Sequence, residues 1–301
     1  MKKFFAMVTA FLTCTILAGC QKKEDTDFKI VTSCYPVYVM TANIAKGVPG
    51  VKTMNMCDSN TGCLHNFQLR SEDLKKIEQS SAFVVNGAGM ENFLDRVINE
   101  IPTAKIIDSS EGVKLLEEED ECEHEEHCHH YHEYNPHIWM SVSNYIKQTQ
   151  NIADGLKRLD PSHEKIYTQN LEEYVSKLND LKTEIKSQLS GLEKKDIITF
   201  HEAFPYFAEE FGLNVVGVIN HEPDEEPPVS EIREIVDLIK EKNISCIFVE
   251  PQYSQAIAQT IANETNAKIY VLDPAATGDF SLDSYLNTMK KNLEVLKEAL
   301  K

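Results

Sequence analysis

Positive charge is scarce in this chain. Only 30 lysines and arginines stand against 48 aspartates and glutamates in 301 residues, a formal net charge of −18 that argues against a nucleic-acid partner. Nine of the negative charges crowd into residues 117–134, which contain no lysine or arginine. Long apolar runs are scarce too: beyond the first 20 residues none could span a bilayer. No HExxH pair occurs, since His124-Glu125-Glu126-His127 has the wrong spacing, so the helical zinc-protease motif is missing. Trp139 is the chain's only tryptophan. Glycine and proline are both missing from residues 162–190, and nothing there interrupts a helix.

What is present starts with a basic Met1-Lys2-Lys3, an apolar run over 4–16 and Leu17-Ala18-Gly19-Cys20. This pattern predicts an export signal over residues 1–19. The Leu-Ala-Gly-Cys ending resembles the lipobox of bacterial lipoproteins, which implies a lipidated Cys20 and a polar tether over 20–27. The mature chain would then sit in a disulfide-permissive compartment. Cys57 and Cys63, close together in one loop, are candidates to pair. Cys122 and Cys128 flank His124 and His127 and are open to either pairing or metal, while Cys34 and Cys246 lie in apolar runs and read as buried, inert thiols.

Residues 117–134 hold five histidines, His124, His127, His129, His130 and His132, among the carboxylates. Neutral imidazole is the commonest protein metal ligand, so the tract reads as an auxiliary metal collector rather than as part of any core. It runs into Asn135-Pro136-His137-Ile138-Trp139, where a proline fixes the backbone beside an aromatic wall. His137 is therefore set apart as a candidate for an ordered site.

Short β-rich runs alternate with helical patterns, which predicts an α/β fold of two lobes, each a four-stranded parallel sheet with flanking helices. Strands are expected over 29–34, 51–56, 82–86 and 105–108, then over 196–200, 214–219, 244–249 and 268–272. Helices are expected over 37–46, 71–79 and 90–100, then over 203–211, 229–242, 254–265 and 281–300. One long helix opening at Asp160-Pro161-Ser162 should connect the lobes, with Ile166, Leu171, Tyr174, Leu178, Leu181, Ile185 and Leu189 as its apolar stripe. At about 1.5 Å per residue, roughly 28 residues make a strut of about 42 Å. The expected organisation is an N-terminal lobe over 28–158, a connecting helix over 159–191 and a C-terminal lobe over 192–301.

Ligands of open parallel sheets bind beyond the carboxyl ends of the strands. Four metal-type side chains fall there: His65 after the second strand, His137 after the fourth, His201 directly after 197–200 and Asp273 directly after 270–272. Three imidazoles and a carboxylate suit a tetrahedral zinc site, whereas manganese prefers oxygen. His221, on the loop after Val218-Ile219, is a weaker candidate, and His163 reads as solvated.

Around these residues the chain resembles a known family. Cys63-Leu64-His65-Asn66-Phe67-Gln68-Leu69, Asn135-Pro136-His137-Ile138-Trp139, Phe200-His201-Glu202-Ala203-Phe204-Pro205-Tyr206-Phe207 and Leu272-Asp273-Pro274 are similar to the four ligand motifs of the metal-binding lipoproteins of zinc and manganese ABC importers. Glu222 to Pro227 and Phe248-Val249-Glu250-Pro251-Gln252 line up with loops of that family's C-terminal lobe. The resemblance implies a monomeric solute-binding protein, not an enzyme, that carries Zn2+ in an interlobe cleft and delivers it to an ABC membrane permease. It would act from a lipid anchor on the outer face of the bacterial cytoplasmic membrane, or in the periplasm where there is an outer membrane. A histidine at position 201 goes with zinc in this family and a glutamate with manganese. Leu64, Asn66 and Asn135 depart from the family's usual proline, aspartate and aspartate. A manganese-specific member, a zinc-dependent hydrolase and a surface adhesin with structural metal are the competing readings.

Overall fold

Runs such as Ala82-Phe83-Val84-Val85 and Cys246-Ile247-Phe248-Val249 are apolar throughout, as strands of a parallel sheet covered on both faces must be. In the computed structural model, which describes residues 27–64, 67–117, 134–219 and 227–301, each expected strand forms, with ends shifted by one or two residues. The first half runs β1 (Phe28–Thr32), α1 (Tyr35–Ile44), β2 (Val51–Asn55), α2 (Ser71–Glu78), β3 (Ala82–Val85), α3 (Leu94–Glu100) and β4 (Ile106–Asp108). Two helices follow, α4 (Val142–Leu159) and α5 (Glu164–Leu189). The second half runs β5 (Asp196–Thr199), α6 (Pro205–Phe211), β6 (Asn214–Val218), α7 (Val229–Lys242), β7 (Cys246–Val249), α8 (Gln255–Thr265), β8 (Lys268–Val271) and α9 (Ser284–Ala299).

Both sheets are parallel and share one order, β2-β1-β3-β4 and β6-β5-β7-β8. In each, the chain reverses its direction of travel across the first strand. The switch-point crevices therefore lie between β1 and β3 and between β5 and β7, and these are the places where α/β sheets bind ligands.

The connecting helix is α5, 26 residues or about 39 Å long, preceded by a 3-10 turn at Pro161–His163. Tyr167, Tyr174, Leu178, Leu181, Ile185 and Leu189 form its buried stripe, while Ile166 and Leu171 are only partly buried. His163, read as solvated, instead pairs through Nδ1 with Asp160 Oδ2 at 2.7 Å. Helix α4 was not expected. Its buried face mixes Gln148 and Thr149 with Tyr145, Ile152 and Leu156, which blurs the apolar periodicity, and Gly155 lies inside it. That glycine is required because a Cβ there would come within 2.6 Å of Ile107 on β4. Ser141 caps the helix by accepting from Asn144 N.

One large core joins the first sheet, α1, α4, α5 and α9 with one face of the second sheet. A smaller core lies on the other face, under α7 and α8. Strand periodicity feeds both cores: Cys246 and Phe248 belong to the large one, Ile247 and Val249 to the small one. Hydrogen bonds also tie the two halves together, from Tyr35 Oη to Ser284 Oγ, Asn43 Nδ2 to Leu282 O, Trp139 Nε1 to Pro274 O and Tyr285 Oη to Trp139 O.

Candidate metal centre

His137 stands at the entrance to a 3-10 turn, Ile138–Met140, and is fully buried. Its place is set by two amides. Asn86, at the end of β3, donates from Nδ2 to Pro136 O at 3.0 Å. Asn135 donates from Nδ2 to Glu202 O at 2.8 Å, which turns its Oδ1 toward His137. That oxygen accepts from His137 N at 3.0 Å and lies 3.1 Å from Nδ1. An amide oxygen can only accept, so Nδ1 carries the proton and Nε2 presents a lone pair. The amide at position 135, a departure from the usual carboxylate, therefore still orients the ring. The Trp139 ring lies alongside, with centroids 5.2 Å apart.

His201 follows β5 at the second switch point. Its amide donates to Glu250 Oε1 at 3.2 Å, its carbonyl accepts from Thr199 Oγ1, and the Tyr253 ring stacks near it. Burial lowers its pKa to about 4, which keeps the imidazole neutral and able to bind a cation. His201 Nε2 and His137 Nε2 are 3.0 Å apart. Since His137 Nδ1 already donates to Asn135, the proton between the two rings belongs to His201. Cys63 Sγ lies 3.4 Å from His137 Nε2, and the donor atoms of Cys63, His137 and His201 all fall within 4.8 Å of one another.

Asp273 stands apart from that trio. Its Oδ1 accepts from Ala275 N at 2.8 Å, and Asn292 brackets its backbone by accepting from its N and donating to its O. Ala275 closes this turn at φ +53°, a left-handed conformation that costs an alanine about 1 kcal/mol. Burial raises the pKa of the Asp273 carboxyl, and its charge in turn adds to the rise at Glu250. Glu250 is 2% exposed, is pushed up to about 8 chiefly by burial, and has no hydrogen-bond partner for Oε2 among the described residues.

The structure thus brings together two of the four candidates, His137 and His201, from opposite halves of the chain. His65, His221, Cys20, Cys122, Cys128 and His124, His127, His129, His130 and His132 lie outside the described residues. The pairing of Cys57 with Cys63 is not formed. Cys57 is buried in the first core, while the Cys63 sulfur turns to His137. Sequence reasoning had no place for Cys63 among the metal donors. Its signal was its position, two residues before His65 on the same strand-end loop.

Two parallel βα lobes on a shared helical strut, with switch-point loops meeting between them, define a two-lobed α/β protein with a candidate ligand site at the seam. A family model described as "Zinc-uptake complex component A periplasmic" matches residues 30–299, and the chain belongs to that family. The zinc-binding lipoprotein AdcA of Streptococcus pneumoniae is 30% identical over 99% of the chain and 61% of its own length. The chain thus spans less than two thirds of that relative. The high-affinity zinc uptake system protein ZnuA of Bacillus subtilis is 31% identical over 98% of the chain and 96% of its own length. Among solved structures, Zn(II)-bound AdcA from Streptococcus pneumoniae superposes with a TM-score of 0.78 at 28% identity, over 91% of this chain and 58% of that one.

Proposed function

We propose that this chain is an extracytoplasmic zinc-binding lipoprotein that captures Zn2+ between its lobes and hands it to the membrane permease of an ABC importer. The observation that carries this reading is the meeting of two buried imidazoles from opposite lobes, with His137 Nε2 and His201 Nε2 3.0 Å apart, in a chain of the zinc-uptake family. The expected separation for two nitrogens on one tetrahedral zinc is about 3.3 Å, so small ring rotations, with the His201 proton moved from Nε2 to Nδ1, would seat the ion. Nitrogen donors favour zinc over manganese. The family is one of transport proteins rather than an enzyme class.

In this reading His65, His137, His201 and Asp273 hold the ion. The histidines of residues 118–133 collect zinc weakly near the cleft. Residues 1–19 direct export, and Cys20 carries the lipid that keeps the protein beside its permease. Among the described residues no helix is long and apolar enough to cross a membrane.

The test is competitive dialysis of the mature chain against equal zinc and manganese, followed by elemental analysis. One tightly held zinc is expected, retained when residues 118–133 are deleted and lost in His137→Ala and in His201→Ala, with affinity falling by orders of magnitude. Unchanged zinc affinity in either histidine variant would end the reading.

A further inference from the structure

Cys63 has no role in the ligand set just proposed, yet its sulfur is one of three donors that converge. It reaches the cleft from the loop after β2, and His137 Nε2 lies between it and His201 Nε2, at 3.4 and 3.0 Å. A tetrahedral zinc with bonds of about 2.05 Å to nitrogen and about 2.3 Å to sulfur would separate nitrogen from sulfur by about 3.6 Å. The observed 3.4 Å is within about 0.2 Å of that value. Asp273 lies outside the trio and has a backbone amide to accept from instead. Of the other described cysteines, Cys34 and Cys246 sit in apolar strand surroundings and Cys57 in the first core, with burial raising all three thiols.

We propose that Cys63 is a sulfur ligand of the transported ion, taking the fourth position that the reading above gives to Asp273, which makes the cleft a mixed nitrogen–sulfur site that discriminates against manganese. The inference rests on the reading of His137 and His201 as ligands. On binding, the S–H proton leaves to solvent and the sulfur lone pair forms the metal bond, with no change of oxidation state. Sulfur and imidazole suit zinc, whereas manganese is left with donors softer than the oxygens it prefers.

Zinc X-ray absorption tests this on the mature full chain carrying Cys122→Ser and Cys128→Ser, loaded with one equivalent of zinc. One sulfur neighbour at about 2.3 Å is expected beside nitrogen or oxygen neighbours at about 2.0–2.2 Å. Adding Cys63→Ser should remove the sulfur shell and weaken zinc binding by at least the roughly tenfold that even outer-shell changes produce, with a smaller loss for manganese. One bound zinc with only nitrogen and oxygen neighbours overturns the role of Cys63 and leaves the transport reading intact. A sulfur shell that survives Cys63→Ser also overturns it. Failure to hold one zinc at all overturns both readings. Alkylation mapping of the unsubstituted chain reads the same point without a variant: Cys63 should be protected by one equivalent of zinc, and equal labelling with and without zinc sinks the proposal.

Discussion

The two lobes share strand order and direction, and each puts a buried glutamate at its switch point, but they use it differently. Glu91, between β1 and β3, accepts from Ser33 Oγ and Asn86 N through one oxygen and from Gly87 N through the other. Glu250, between β5 and β7, accepts from His201 N through Oε1, while Oε2 has no partner among the described residues. Burial pushes the first up to about 7 and the second up to about 8. One topology thus serves as a closed structural clasp in the N-terminal lobe and as an open carboxylate behind a candidate ligand in the C-terminal lobe. The cores differ in the same sense: the first sheet belongs to a single core shared with α5 and α9, whereas the second divides its faces between that core and a small one of its own.

The largest test of the shared part is Trp139→Ala. It removes a fully buried indole and its bond to Pro274 O, so a loss of about 3–5 kcal/mol is expected in denaturant unfolding. A loss under about 1 kcal/mol would mean that this bond does not join the lobes. Truncation of the two cores should separate them further. Leu178→Ala, in the strut, should lower the global transition by about 3 kcal/mol, while Ile239→Ala, in the small core, should cost about 2 kcal/mol and loosen α7 and α8 first. Hydrogen exchange that rises equally in both lobes of the second variant would contradict a separate core.

The clasp and the open carboxylate should separate next. Glu91→Gln puts an amide against backbone donors and should cost about 1–3 kcal/mol, and Glu250→Gln less than about 1 kcal/mol. Glu91 also carries a pH signature. Its folded pKa of about 7 lies above the ordinary 4.5, so the native state binds this proton more tightly than the unfolded chain. Its contribution is full below about pH 4.5 and is lost as pH rises through about 7. Glu91→Gln should flatten that decline, and an unchanged slope between about pH 5 and pH 8 would remove Glu91 as its source. A similarly small effect, about 1 kcal/mol, is expected for Tyr35→Phe, which removes the hydroxyl that meets Ser284 and the Asp279 carbonyl across the lobes.

The eight strands were legible because their β-rich, apolar runs alternate with helical patterns, and α5 because nothing interrupts its helical stretch. Helix α4 was hidden by what makes it useful: Gln148 is buried to donate to Asn86 Oδ1 and Ser109 Oγ, and Gly155 is there to let β4 approach. Neither reads as an amphipathic helix. The strand-end rule located His137 and His201, whose convergence across lobes follows from topology. It did not reveal that the sulfur of Cys63 faces His137, because side-chain direction within a loop is set by tertiary neighbours that no local pattern records.

The ends of the acidic tract are pinned to each other. Glu117 and Tyr134 form an antiparallel bridge, and Asn135 N donates to Leu116 O at 2.9 Å. Whatever sequence runs between them enters and leaves through one gate. Lengthening such an insertion costs only about 0.6 kcal/mol per doubling, and the gate shields Asn135 and the ring it orients from the change. The segment is therefore a cassette. Exchanging residues 118–133 for a peptide of another length should leave the pairing of Glu117 with Tyr134, and the register of the fold, in place.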